Sequence, residues 1–190
     1  MMEISSSRWL CLSLPAIAST LGLMLLVASV IDGFADHAIG TGIQIAWQAQ
    51  LLKVEEALAR GDLATAERQW REAYAAALKS RHWQGMVAAG DTYRVLGARA
   101  GFRAASVRKA REAYLTALFR ARGEGSLEGV LRAAERFAKL GDHGVVEHCI
   151  RVAQQVAAQS RDPQATEHVR AFSERWAADA QGINQWGFIP

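Results

Sequence analysis

From residue 43 onward, apolar side chains recur every three or four positions, the period of a helix with one buried face. IQIAWQAQLLKVEEALA (43 to 59) shows it in Ile43, Trp47, Leu51, Val54 and Leu58. Gly61-Asp62 then ends that helix and caps the next. The second helix carries Leu63, Ala66, Trp70, Ala73, Tyr74 and Ala77 on one face. A third is expected over about 83 to 98 and a fourth over about 105 to 121. GEGS (123 to 126) breaks the pattern with Ser126 as N-cap, and helices over about 127 to 140 and 144 to 159 meet at Gly141-Asp142. Asp162-Pro163 opens a seventh, a capping residue followed by proline in the first turn. It should run to about residue 180, leaving QGINQWGFIP (181 to 190) as a non-helical aromatic tail. Trp186, Phe188 and Ile189 are costly to leave in water, so the tail is expected to dock on the repeats or on another protein. No segment alternates with period two, and the fold class is all-α.

The N-terminal pattern differs. WLCLSLPAIASTLGLMLLVASVI, 9 to 31, is 23 residues without a charge and apolar on every face. As a helix it would be about 35 Å long, enough to cross a hydrocarbon core of about 30 Å. Arg8 precedes it and Asp32 and Asp36 follow. The positive-inside bias then keeps residues 1–8 in the cytoplasm and exports everything after a linker at 32–42. A signal peptide cleaved after Ala35 is the alternative, and it would release a secreted protein. The length of the apolar run favours a retained anchor.

The second, fourth and sixth helices share one register. Ala66, Trp70 and Ala73 become Ala110, Tyr114 and Ala117, then Val146, Ile150 and Ala153. Each set places a slim residue, a bulky one and an alanine on one face, which suits close approach by the preceding antiparallel helix. Tyr93, Leu96 and Gly97 precede the fourth helix, and Phe137 precedes the sixth. With the two Gly-Asp turns, this resembles the tetratricopeptide repeat. The resemblance implies three stacked helical hairpins over 43–160, an α-solenoid, and a capping helix over 161–180. The slim residues lie 44 and 36 residues apart, where the family repeats every 34 or so. Lys53 and Val54 stand where the family has Leu-Gly.

Composition adds one feature. The net charge is +3, yet from Arg94 to Arg122 eight basic residues face one acid, Glu112. In the repeat family the first helix of a hairpin lines the ligand-facing side, which assigns Arg94 and Arg99 to a groove with Arg103 at the turn. Arg94 and Arg99 are expected to lack an intrahelical ion pair, and such arginines suit a carboxylate on an acidic partner segment. Anionic lipid headgroups beside the anchor are the other candidate, and a solvated face is the plain reading. Nucleic acid is not expected, because aromatic residues do not interleave with the arginines.

No catalytic chemistry is legible. His143 and His148 are five residues apart and fall on different helix faces, unlike the four-residue spacing of helical zinc sites. Cys11 and Cys149 make no disulfide framework, and Cys149 reads as a small core residue. Neither enzyme activity, metal nor cofactor is expected. The expected function is a membrane-anchored protein–protein interaction scaffold for a membrane or envelope complex. The alternative is a small accessory subunit built permanently into such a complex.

Overall fold

The structure is a computed structural model that describes residues 46–186, with side chains placed through 179. The expected membrane segment 9–31, its flanks 1–8 and 32–42, the cleavage position at Ala35, and Phe188 and Ile189 lie outside the described residues. Every regular element among the described residues is a helix. They are α1 (46–59), α2 (Leu63–Ser80), α3 (Trp83–Ala100), α4 (Arg103–Gly123), α5 (Leu127–Ala138), α6 (His143–Ser160) and α7 (Pro163–Trp186). None is long and apolar enough to cross a membrane.

Short left-handed turns set the boundaries. Gly61, Gly101, Gly125 and Gly141 all have positive φ, and so do Arg81 and Arg161, at 59° and 55°. Three of the turns use glycine's lack of a Cβ to close a helix C-terminus, with the Asp62 N–H donating to Ala57 O, the Ser126 N–H to Ala121 O and the Asp142 N–H to Phe137 O. Two turns out of six therefore break at arginine, where no glycine marks the spot.

Each helix from α2 on packs against its successor, and α3 also reaches α5, α4 reaches α6, and α5 reaches α7. Antiparallel neighbours with a contact one helix further on are the arrangement of stacked hairpins. Small residues permit the close approaches. A methyl at Gly90 of α3 would stand 2.5 Å from the Tyr114 ring of α4, and one at Gly97 would collide with Ser106.

The core forms two clusters. One holds Val54, Ala57, Leu58, Ala66, Trp70 and Leu96. The larger one begins at Trp47 and Leu51 and continues through Tyr114 and Phe137 to Val169 and Phe172. Ala66, Trp70, Ala73, Leu96, Gly97, Ala110, Tyr114, Ala117, Phe137, Val146 and Ala153 are buried. Tyr93 and Ile150 are half-buried, and beside Ile150 it is Cys149 that is fully enclosed.

One boundary departs from expectation. Helix α7 continues to Trp186 instead of ending near residue 180. Its last turns contain no proline, and a lone glycine, Gly182, disfavours a helix by only about 1 kcal/mol.

Candidate functional site

The basic stretch from Arg94 to Arg122 divides into residues that fasten helices together and residues that stay open. Arg120 of α4 donates to the carbonyls of Ala77, Leu78 and His82, at 3.0, 3.0 and 3.1 Å. These lie at the α2–α3 turn, where helical carbonyls lack intrahelical partners. Burial lowers the pKa of Arg120 from its ordinary value. Arg99 does similar service for α1, donating to Leu58 O at 3.0 Å. Arg111 binds both oxygens of Asp142 in a fork, its Nε at 2.7 Å from Oδ2. Lys109 pairs with Glu112 at 2.8 Å and sits 5.0 Å above the Tyr74 ring.

Arg94, Arg103, Arg108 and Arg122 have no carboxylate within ion-pair distance among the described residues. Two of the four, Arg94 and Arg103, come together in a cavity of about 480 Å³ between α3, α4 and α5. Asp91, Val95 and Ala98 complete the α3 wall, Ser106 and Val107 the α4 wall, and Arg136 with the C-cap residue Lys139 the α5 wall. Four cations and one carboxylate leave it three net positive charges.

Asp91 organises the floor. Its Oδ1 accepts the Tyr114 hydroxyl at 2.7 Å, and its Oδ2 accepts Arg136 Nε at 2.8 Å. One carboxylate of α3 thus ties α4 and α5 together. Burial, and then the hydrogen bond to Asp91, push the Tyr114 hydroxyl above the usual tyrosine range, while neighbouring Arg94 pulls the other way. Arg136 is only 16% exposed and its charge is matched by Asp91. Arg94, Arg103 and Lys139 are the cations left for something else.

The arginines expected to line a groove therefore separate. Arg94 and Arg103 meet in the cavity, whereas the Arg99 guanidinium is directed at α1. Arg94 does have an acid three residues earlier, Asp91, but that carboxylate is engaged by Tyr114 and Arg136. Asp91, Arg136 and Lys139 were not legible as site residues. Arg136 stands 45 positions from its partner Asp91, and only the stacking of α5 beside α3 brings them together. The one available signal was the pair of basic residues at the end of α5.

His143 and His148 stay apart from this site. The His143 ring packs 5.1 Å from Trp176, and His148 is exposed. No cluster of three metal-ligating side chains occurs among the described residues. Burial pushes the Cys149 thiol up to about 12, which keeps it in its unreactive protonated form near neutral pH.

The chain matches no family model, no curated protein and no solved structure. The chemistry of the cavity itself carries the functional reading.

Proposed function

We propose that this protein is a non-enzymatic interaction scaffold, anchored in a membrane by residues 9–31, whose stacked hairpins hold a partner protein through an acidic segment. The observation that carries the reading is the cavity in which Arg94, Arg103 and Lys139 have no compensating carboxylate among the described residues. Like charges gathered in a concave site are unfavourable unless a counter-anion joins them, and arginine forks hold carboxylates in bidentate fashion. Arg99 is not a partner contact in this reading, because its guanidinium is bound to Leu58 O. Stacked helical hairpins present extended surfaces, which suits assembly of a complex more than catalysis.

The test is affinity purification from detergent-solubilised membranes. Arg94→Glu with Arg103→Glu should lose the co-purifying partner, while Arg108→Glu should keep it. Capture by the parent should also weaken as salt rises. Equal recovery by the parent and both variants would sink the acidic-partner reading. For the anchor, the N-terminal peptide should be found in carbonate-washed membranes, whereas a mature N-terminus at Asp36 would leave a secreted binding protein instead.

A further inference from the structure

The charge in the cavity is more than a single carboxylate can balance. Asp91 already answers Arg136, so Arg94, Arg103 and Lys139 leave three positive charges for an incoming ligand. One carboxylate would compensate only one of them. A phosphate monoester carries close to two charges on three oxygens at neutral pH, and the guanidinium fork matches phosphate as well as it does carboxylate. The space is also larger than the anion alone requires. At about 480 Å³ it falls in the range of small-molecule sites, and Val95, Ala98 and Val107 give it apolar walls beside the cations. Those walls suit the organic part of an ester rather than bare inorganic phosphate.

We infer that the cavity between α3, α4 and α5 binds a phosphate monoester, its phosphoryl group on Arg94 and Arg103 and its alcohol part against Val95, Ala98 and Val107. The inference rests on the reading that these arginines face a bound anion. It goes beyond that reading by giving them a small ligand with which an acidic partner segment would compete. The same chemistry is offered by a soluble ester and by a lipid headgroup such as phosphatidic acid.

The pH dependence separates this ligand from a carboxylic acid. The charged and titratable groups facing the site are Asp91 and Arg94 from α3, Arg103 and Tyr114 from α4, and Arg136 and Lys139 from α5. None is a histidine, the side chain whose ordinary titration falls between pH 5 and pH 8. The second ionisation of the ester, near pH 6, falls inside that window. Affinity for the ester should therefore rise several-fold from pH 5 to pH 8, whereas a carboxylate, ionised throughout, should show no such rise.

The experiment is calorimetric titration of the full chain in a non-ionic detergent with glycerol 3-phosphate, at fixed ionic strength and several pH values. The expected result is saturable binding that strengthens with pH. Binding should fall by roughly tenfold or more in Arg94→Gln with Arg103→Gln and stay unchanged in Arg108→Gln. Circular dichroism establishes that the double variant is folded. Should it not be, Lys139→Gln, at an exposed position, gives the same comparison. Tighter binding of dihexanoyl phosphatidic acid than of glycerol 3-phosphate identifies a lipid source, and equal binding a soluble one. Absence of binding by both phosphate compounds overturns the inference, and so does acetate binding as well as the esters with no pH dependence. If partner capture still depends on Arg94 and Arg103 while neither ester binds, only this inference falls. If the ester binds and capture ignores both arginines, the acidic-partner reading falls alone.

Discussion

Trp70 and Tyr114 occupy the same place in their respective hairpins, and each extends a polar tip to the same helix. Trp70 of α2 donates its Nε1–H to Ala89 O at 2.8 Å. Tyr114 of α4 donates its hydroxyl to Asp91, two residues further along α3. The surroundings differ as much as the acceptors. Trp70 lies in an aromatic stack, its ring centroid 4.0 Å from Tyr93 and 5.1 Å from Tyr74. Tyr114 meets Phe137 edge-on at 6.0 Å and fills the space over Gly90. A neutral carbonyl ends the first interaction in the core. A shared carboxylate carries the second on to Arg136 and so to the wall of the cavity. Register brings both of these residues into the core, and the acceptor opposite decides whether each belongs to packing alone or also to a site.

The widest separation between the two positions should come from truncating the tryptophan. Trp70→Ala should lower stability by about 3–5 kcal/mol, as expected for a buried aromatic that leaves a cavity. Chemical denaturation measures it, and the anion affinity of the cavity should not change in the fraction that remains folded. A value under about 1 kcal/mol would mean that Trp70 is not the filler of its hairpin.

On the tyrosine side, Gly90→Ala should destabilise by about 1–3 kcal/mol, because the new methyl must displace the Tyr114 ring. Gly144→Ala has nothing within 4 Å of the added methyl and should be neutral or slightly stabilising by the same measurement.

Tyr114→Phe keeps the ring and removes the hydroxyl. The expected loss is about 1 kcal/mol, since Asp91 retains Arg136. A loss as large as that of Trp70→Ala would show that the ionic network holds the middle of the molecule together more firmly than its aromatic packing does.

The gentlest of these effects appears at alkaline pH. Tyr114 and Cys149 both hold their protons more tightly in the folded chain, with Cys149 at about 12 against an ordinary 9.0. Above pH 9 the unfolded chain binds fewer protons than the native one, so stability is fully present below pH 9 and declines as pH climbs towards 12. Midpoints of thermal unfolding between pH 8 and pH 11 should show the decline. Tyr114→Phe should flatten its upper part and Cys149→Ala its lower part.

Much of the fold was legible because helix periodicity and the Gly-Asp turns are local signals. Asp62 caps α2 through its Thr65 N–H contact at 2.9 Å, as a residue of its type before a helix should. Asp142 sits in an almost identical turn and makes no such cap, because Arg111 from α4 takes its carboxylate. No local pattern distinguishes the two cases. The turns at Arg81 and Arg161 are hidden for another reason, since a residue with a side chain at φ near 60° is held there by the structure around it. The site was legible only on its α3 and α4 walls, where Arg94 and Arg103 are close in sequence. Its α5 wall depends on hairpin stacking, which no spacing of charges announces.

Arg120 has a consequence for how the chain comes apart. Its guanidinium grips the last turn of α2 and the carbonyl of His82 just before α3. Stacked hairpins ordinarily open one unit at a time from their ends. Here the end of α2 is held by a side chain from the following hairpin, so fraying of α2 exposes carbonyls that α4 had satisfied. The amides of the last turn of α2 and the first turn of α3 should then exchange with solvent together with those around Arg120 in α4, as one cooperative block that spans two hairpins.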